Sequence, residues 1–396
     1  MEKNTLYWMW IQQAVGQGSS AVPKLLDAFS SPEEVYRADR LELQKAGITG
    51  KELDCLCRKS LDGVKRLAER SQKLGWILTP EEDAYPDLLR QIFSPPLVLY
   101  GKGRMPDFDT VSAPPIAMVG TRGCTAYGEK VAGGIAAGLA AVGCVLVSGG
   151  AKGIDRAAHE GALYAGGCTV AVQACGLDVP YPQTNSRLRE AIVEQGGAVI
   201  TEYPPGVPAY RNHFKVRNRL LSALSWGVCI VEAPKISGAL ITARTAVEQN
   251  RDVFVIPGNI TSPASYGSNE LIKNGALMVT RAGEILQGYA ARLGGLSETE
   301  ADRAQEAYFA FHEHGGELPL DTAVEASEEE QVPSVPCPES ASAEAKQVYE
   351  RLTTQPMTAE ELCVCTGIPV GTLFASLTEL ELLGCVRSYP GKRYSR

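Results

Sequence analysis

The chain has 396 residues, 44% of them hydrophobic and 21% charged, with a formal net charge of −8. That composition fits a soluble globular protein of about two to three domains and excludes a single core or a disordered chain. Net acidity also excludes a surface that is basic throughout, so any contact with a polyanion needs a local reversal of sign.

Residues 1–70 read as short helices over Thr5–Gln13, Ser20–Phe29, Pro32–Ala38, Asp39–Ala46 and Gly50–Ser60, with breaks at Gly16-Gln17-Gly18 and Gly47-Ile48-Thr49-Gly50. Small helices joined by glycine hairpins fit either of two modules. One is a helix-hairpin-helix module, whose amides hold a phosphate at a helix N-terminus; the other is a helical protein-interaction domain. Residues 71–113 form a connector in which Gly75–Leu78 and Leu97–Tyr100 read as strands added to the edge of the next domain.

From Pro115 onward, near-continuous apolar strands alternate with helices. Strands are predicted over Ile116–Val119, Cys144–Ser148, Cys168–Gln173, Ala198–Glu202, Gly227–Ala233 and Val253–Pro257. The helices between them cover Ala126–Val142, Ile154–Ala165, Ser186–Glu194, Val216–Ser225 and Ala239–Gln249. This rhythm predicts an α/β fold, a Rossmann-like doubly wound parallel sheet covered on both faces, within a domain of residues 71–290. The uncharged run between Lys130 and Lys152 is cut by six glycines, so it reads as a helix and a buried strand, and no membrane insertion is expected.

Residues 291–341 turn acidic and then proline-rich, with Glu328-Glu329-Glu330, Pro333, Pro336 and Pro338, and read as a linker disordered in its second half. Residues 342–396 read as helix, helix-turn-helix and a hairpin turning at Pro390-Gly391, the pattern of a C-terminal winged helix. Its second helix, Val370–Leu383, carries Glu379 and Glu381 and no cation, which suits protein docking better than reading a DNA groove.

Cysteine is used as a small apolar residue at Cys144, Cys168, Cys175 and Cys229. Cys55/Cys57 and Cys363/Cys365 lack the usual metal-ligand spacing, so neither a metal nor a cofactor is expected. The odd total of 11 and the lack of a secretory signal predict a reducing, cytoplasmic setting.

The reversal of sign lies in one stretch, Arg211-Asn212-His213-Phe214-Lys215-Val216-Arg217-Asn218-Arg219, within a window free of acids from Glu202 to Glu232. Residues 115–290 hold 15 Lys and Arg against 12 Asp and Glu, opposite in sign to the whole chain. In doubly wound sheets ligands gather at the carboxyl ends of strands. Gly120-Thr121-Arg122 follows the first strand there, Ser148-Gly149-Gly150 with Lys152 and Gly153 follows the second, and Ser237-Gly238 follows the fifth. Glycine turns at helix starts let amides approach an anion, and Arg122 and Lys152 add full charges. Together with Lys215, Arg217 and Arg219 these loops predict a row of phosphate-sized sites, hence a polyanion. Phe214, beside His213 and near Asn218, serves either to stack on a base or to anchor the helix in the core. No P-loop, dinucleotide fingerprint or nucleophile elbow is present. Ser148, Asp155 and His159 form a weak triad, for Asp155 reads better as a helix cap; no catalytic residue is assigned.

The motifs MVGTRGCTAYG, SGGAKGIDRAAHEGAL, GLDVPYP, TEYPPG, HFKVRNRLLSALS, IVEA, SGALITARTAVEQNRDVFVIPG and GSNELIKNGA stand in order over roughly residues 80–285. They resemble the successive motifs of the DprA (Smf) family of DNA-processing proteins. The resemblance implies a non-catalytic cytosolic homodimer that binds and protects incoming single-stranded DNA and loads the RecA recombinase in natural transformation. It assigns DNA binding to Arg122 and the Phe214–Arg219 motif. Two departures stand out: Lys152 replaces an arginine, and Lys215 stands where the family often has proline. The alternative is a Rossmann-like nucleotide-binding or phosphoribohydrolase-type enzyme, of which Glu232, Ser237, Gly238, Thr242 and Glu248 are a distant echo.

Overall fold

The computed structural model describes residues 3–109, 112–295, 297–316, 318, 341–353, 357–383, 385–389 and 393–396. The chain divides into two units, Met1–Val207 with Lys215–Val324, and Pro208–Phe214 with Glu325–Arg396.

The first unit starts with helices α1 (Lys3–Val15), α2 (Ala21–Ala28), α3 (Pro32–Arg37), α4 (Arg40–Lys45), α5 (Gly50–Leu56) and α6 (Asp62–Leu74). Side-chain caps start two of them: Ser31 accepts from Glu34, and Asp39 forms a reciprocal capping box with Glu42. Their shared core of Met9, Ile11, Leu43, Leu56 and Ala68 also takes in Leu97, Val98 and Tyr100. The helices run through α6 to Leu74 and pack on the connector.

That connector contributes β1 (Trp76–Leu78), α7 (Asp87–Arg90) and β2 (Leu99–Gly103). The alternating region follows with β3 (Ile116–Val119), α8 (Ala126–Ala141), β4 (Leu146–Ser148), α9 (Ile154–Tyr164), β5 (Thr169–Gln173), α10 (Ser186–Glu194), β6 (Ala198–Thr201), α11 (Arg211–Ala223), β7 (Gly227–Ile230), α12 (Gly238–Glu248) and β8 (Asp252–Val255). Next come α13 (Tyr266–Lys273), β9 (Leu277–Met278), α14 (Ala282–Gln287) and α15 (Glu298–Glu313). The sheet order is β1-β2-β6-β5-β4-β3-β7-β8-β9, parallel from β6 to β9, with β1 and β2 antiparallel at one edge. The predicted doubly wound sheet and its added edge strands are both present.

Alternation along each strand sorts the core. Val119, Val147, Val172 and Ile230 face α11 and α12, whereas Met118, Leu146 and Cys229 face α8 and α9. The order runs outward from β3 to β6 and then resumes at β7, so the switch point lies between β3 and β7.

Two features depart from the sequence reading. Helix α11 begins at Arg211 rather than Val216, because a lysine at 215 supplies the N–H that a proline would lack. Residues 298–313, expected in the acidic linker, form α15, whose Ala301, Gln305 and Tyr308 are buried. A side chain at Gly133 would collide with Tyr308, and one at Gly134 with Phe309. The glycines of the uncharged run thus let a third helix lie close on α8. The predicted Glu328-Glu329-Glu330 and proline segment lies outside the described residues.

The second unit includes α16 (Ala343–Arg351), β10 (Met357–Thr358), α17 (Ala359–Thr366), α18 (Val370–Leu382), β11 (Arg387–Tyr389) and β12 (Arg393–Ser395). The strands pair in the order β10-β12-β11 beside a core of Ala345, Val348, Leu362, Leu373, Leu377 and Leu380. This is the expected winged helix; its predicted Pro390-Gly391 turn lies outside the described residues. No single helix among the described residues is long and apolar enough to cross a membrane.

Candidate nucleic-acid interface

The loops at the carboxyl ends of the strands are tied to one another from within. Arg217 is 4% exposed. Its guanidinium donates to the Gly149 carbonyl at 2.7 Å and to the Val172 carbonyl, and its Nε donates to Asn218 Oδ1 at 3.2 Å. Buried Asp155 lies near enough to oppose it electrostatically: burial pushes the Asp155 carboxyl up, and the Arg217 charge pulls it back. Burial likewise lowers Arg217, with Asp155 opposing. One turn of helix thereby anchors the loop after β4. Asn218, also buried, donates Nδ2–H to the Gly238 carbonyl at 3.3 Å and ties the same helix to the loop after β7.

Arg219 pairs with Glu202, its Nη2 lying 2.6 Å from both carboxylate oxygens. Glu202 is 1% exposed, and burial raises its carboxyl while Arg219 opposes the rise. Gly18 packs against Val216 and Arg219, so the glycine turn after α1 docks on α11. Arg217, Asn218 and Arg219, expected as DNA contacts, are thus engaged in internal bonds. The reason is topological: α11 carries the chain back across the sheet, where Arg217 meets strand-end carbonyls and Arg219 meets Glu202, partners that a linear pattern does not reveal.

Most of the glycine loops are closely packed. A side chain at Gly120 would strike Ile154, one at Gly149 would strike Arg217 and Asp155, and Gly153, at φ +75°, abuts the Thr121 and Arg122 backbone. Gly150 gives its carbonyl to Asn185 Nδ2 at 3.1 Å. Ser148 donates to the Met118 carbonyl at 2.7 Å. Thr121 N–H bonds the Glu232 carbonyl, and Ser237 Oγ caps α12 through Ala239 N–H at 3.2 Å. Gly238, by contrast, is exposed, with nothing closer than Asn218 Nδ2 at 3.9 Å to where a Cβ would stand. Close packing accounts for most of these glycines.

At the switch point the N-terminus of α8 is already occupied. Glu232, 1% exposed, accepts from Thr125 N–H at 2.8 Å and from Thr125 Oγ1 at 2.7 Å, and it fills the space where Gly128 would carry a Cβ. A carboxylate of the chain's own sits where a doubly wound nucleotide-binding fold would place a phosphate. The triad is excluded by geometry. Ser148 is turned to Met118, while Thr169 gives its proton to the Leu146 carbonyl at 2.8 Å and so takes one from His159 Nδ1 at 2.7 Å. Burial pushes that imidazole down to about 3, leaving it neutral.

Solvent is reached by Arg122 and Lys215, both exposed, and by half-buried Lys152. Arg122 also lies 3.4 Å from the Tyr181 hydroxyl. Lys235, exposed in the loop after β7, joins them and was missed in the sequence motifs, although its place between a strand end and a helix cap marks it. These loops are neighbours, since Gly153 abuts the Arg122 backbone while Arg217 and Asn218 bridge the β4 and β7 loops. His213 and Phe214, half-buried, fall in the second unit's segment, where His213 Nδ1 lies 3.1 Å from the Pro208 carbonyl.

The profile of the DNA recombination-mediator protein A family matches residues 76–290, and that of the DprA winged helix domain matches 332–392. Protein Smf of Synechocystis sp. is 33% identical over 98% of this chain and 98% of its own length. The chain belongs to this family. The DNA processing protein DprA of Streptococcus pneumoniae is 43% identical over 52% of this chain and 71% of its own. The X-ray structure of DprA from that organism superposes with a TM-score of 0.60 at 32% identity, covering 72% of this chain and 97% of that one. The family span contains every strand and loop of the rim from β3 to β9, including Arg122, Lys152, Lys215 and Lys235.

Proposed function

We propose that this protein binds single-stranded DNA along the carboxyl-end rim of its sheet. In this reading it protects incoming strands and loads a RecA recombinase on them in the cytoplasm, as a homodimer and without catalysis. The observation that carries the reading is the set of solvent-reaching cations Arg122, Lys152 and Lys235 on the loops after β3, β4 and β7, with Lys215 on α11, in an otherwise acidic chain. Cations so spread follow a phosphate backbone rather than a single phosphate. Phe214 and His213 remain proposed contributors from the start of α11. The homodimer is supported by β9, an outer strand whose Leu277 and Met278 are 54% and 58% exposed. An unpaired apolar edge of this kind is a template for a second copy.

The enzymatic alternative gains no support. Glu232 is held by the Thr125 N–H and hydroxyl at the start of α8, whereas Glu248, at the far end of α12, pairs with Arg244 at 3.1 Å.

The test is a salt titration of binding to a ~30-nucleotide single strand and its duplex, with Lys215→Glu/Lys235→Glu in parallel. Preference for the single strand is expected, with a steep slope that is shallower in the variant by roughly 1.4, or about 0.7 per lost contact. A flat slope shared by both proteins would remove the reading. Light scattering giving the mass of one copy would remove the homodimer, and unchanged RecA filament assembly on coated strands would remove the loading role.

A further inference from the structure

The same rim has an apolar half. Tyr127 opens α8 after β3, Ile236 lies in the loop after β7, and Ile260 and Tyr266 follow β8; they are 48%, 95%, 82% and 45% exposed. Single exposed apolar side chains are ordinary, but these four sit on segments bonded to one another. Tyr127 Oη donates to the Pro257 carbonyl at 2.8 Å. Gly258 exchanges two bonds with Asn269 of α13, at 3.1 and 3.0 Å. The start of α13 returns to the β7 loop, where Gly267 N–H donates to the Ala233 carbonyl at 2.7 Å and Ser268 N–H to the same oxygen at 3.2 Å. Asn218 holds the other stem of that loop through Gly238. Both stems being fixed, Ile236 projects from a braced support, with Lys235 beside it and Arg122 on the loop that leads to Tyr127.

We infer that Tyr127, Ile236, Ile260 and Tyr266 form a ledge that receives the unstacked bases of a single strand while the neighbouring cations hold its phosphates. The occupant is set by the juxtaposition. A polymer with one anionic side and one flat apolar side matches a cation row bordered by an apolar shelf, whereas a duplex turns its bases inward and offers only the anionic side. The inference deepens the single-strand reading and rests on it. It also supplies what the cations alone do not, a reason for preferring a single strand over a duplex.

The test compares a 30-mer of thymidylate with an abasic deoxyribose-phosphate 30-mer of equal charge, measured by fluorescence anisotropy on the full chain. The unaltered protein should bind the thymidylate strand at least about tenfold more tightly, the scale of one stacked base. Ile236→Ser/Ile260→Ser/Tyr266→Ser should lose that difference while binding the abasic strand as before. Ile236→Ser alone, at a 95% exposed position where the fold has nothing to lose, should lose part of it. An unchanged thymidylate preference in the triple variant overturns the ledge and leaves the cation track standing. Equal weakening toward both strands also overturns it, by making the surface structural. A dimer that falls to a monomer with its preference intact assigns the surface to a second copy instead. If the unaltered protein binds neither strand, the underlying reading fails and the ledge fails with it.

Discussion

Lys215 and Arg217 stand two residues apart in one motif and have opposite tasks. Lys215 is exposed, whereas Arg217 is 4% exposed and clasps two strand-end carbonyls beside buried Asp155. Removing one partner of a buried charge pair leaves the other uncompensated, at a cost of about 3–5 kcal/mol. Arg217→Ala should therefore lower unfolding stability by that amount, and Lys215→Ala should stay within about 0.5 kcal/mol of the parent. Urea denaturation checks both, and equal midpoints for the two variants would sink the distinction. Any loss of DNA binding in Arg217→Ala would then be a folding effect, which makes Lys235 the better companion to Lys215 as a probe. The sequence marked this motif as important, but which cation faces water depends on how a helix lies across a sheet. That geometry gives Arg217, Asn218 and Arg219 internal bonds that the linear motif does not reveal. Glu232 is a similar case: only the β3–β7 adjacency brings it to the Thr125 amide.

At the scale of elements, the strands from β3 to β8 were legible because a strand buried on both faces has almost no polar residue to blur it. Helix α15 was not. Its inner face is a thin stripe of Ala301, Gln305 and Tyr308 in an acidic sequence, so its periodicity is weak and its charge resembles a linker's. What gives it a place is α8, whose small residues leave a groove: Tyr308 seats against Gly133, and its ring meets Tyr164 edge-on at 5.2 Å. Tyr308→Ala should cost about 3–5 kcal/mol, as for other large buried aromatics. Loss of the helix's protection in hydrogen exchange should accompany that change. If protection persists and stability is unchanged, α15 is not part of the sheet domain's core. The short elements α7, α13 and β9 were also missed, each having too few residues to establish a period.

Over the whole molecule the charges are segregated. Residues 115–290 carry an excess of cations, whereas residues 317–396 hold 13 Asp and Glu against 6 Lys and Arg, so most of the net charge of −8 lies in the C-terminal fifth of the chain. A like-charged segment slows a polyanion's approach through the summed field, over a reach set by the Debye length. Helix α18 adds Glu379 and Glu381 to this acidic share, and Glu379 accepts from Ser342 Oγ at 2.6 Å. If the rim binds single strands, Glu328→Gln/Glu329→Gln/Glu330→Gln should raise their association rate at low salt. Dissociation should stay nearly constant, because the rim's own residues are unaltered. Stopped-flow mixing across a salt series separates the two. The gain should be severalfold in dilute buffer and vanish toward 1 M salt, where screening shortens the field to about 3 Å. A gain that persists at high salt would mean that the acidic segment competes for the rim by direct contact. No gain at any salt would mean that the rim's local field alone governs encounter.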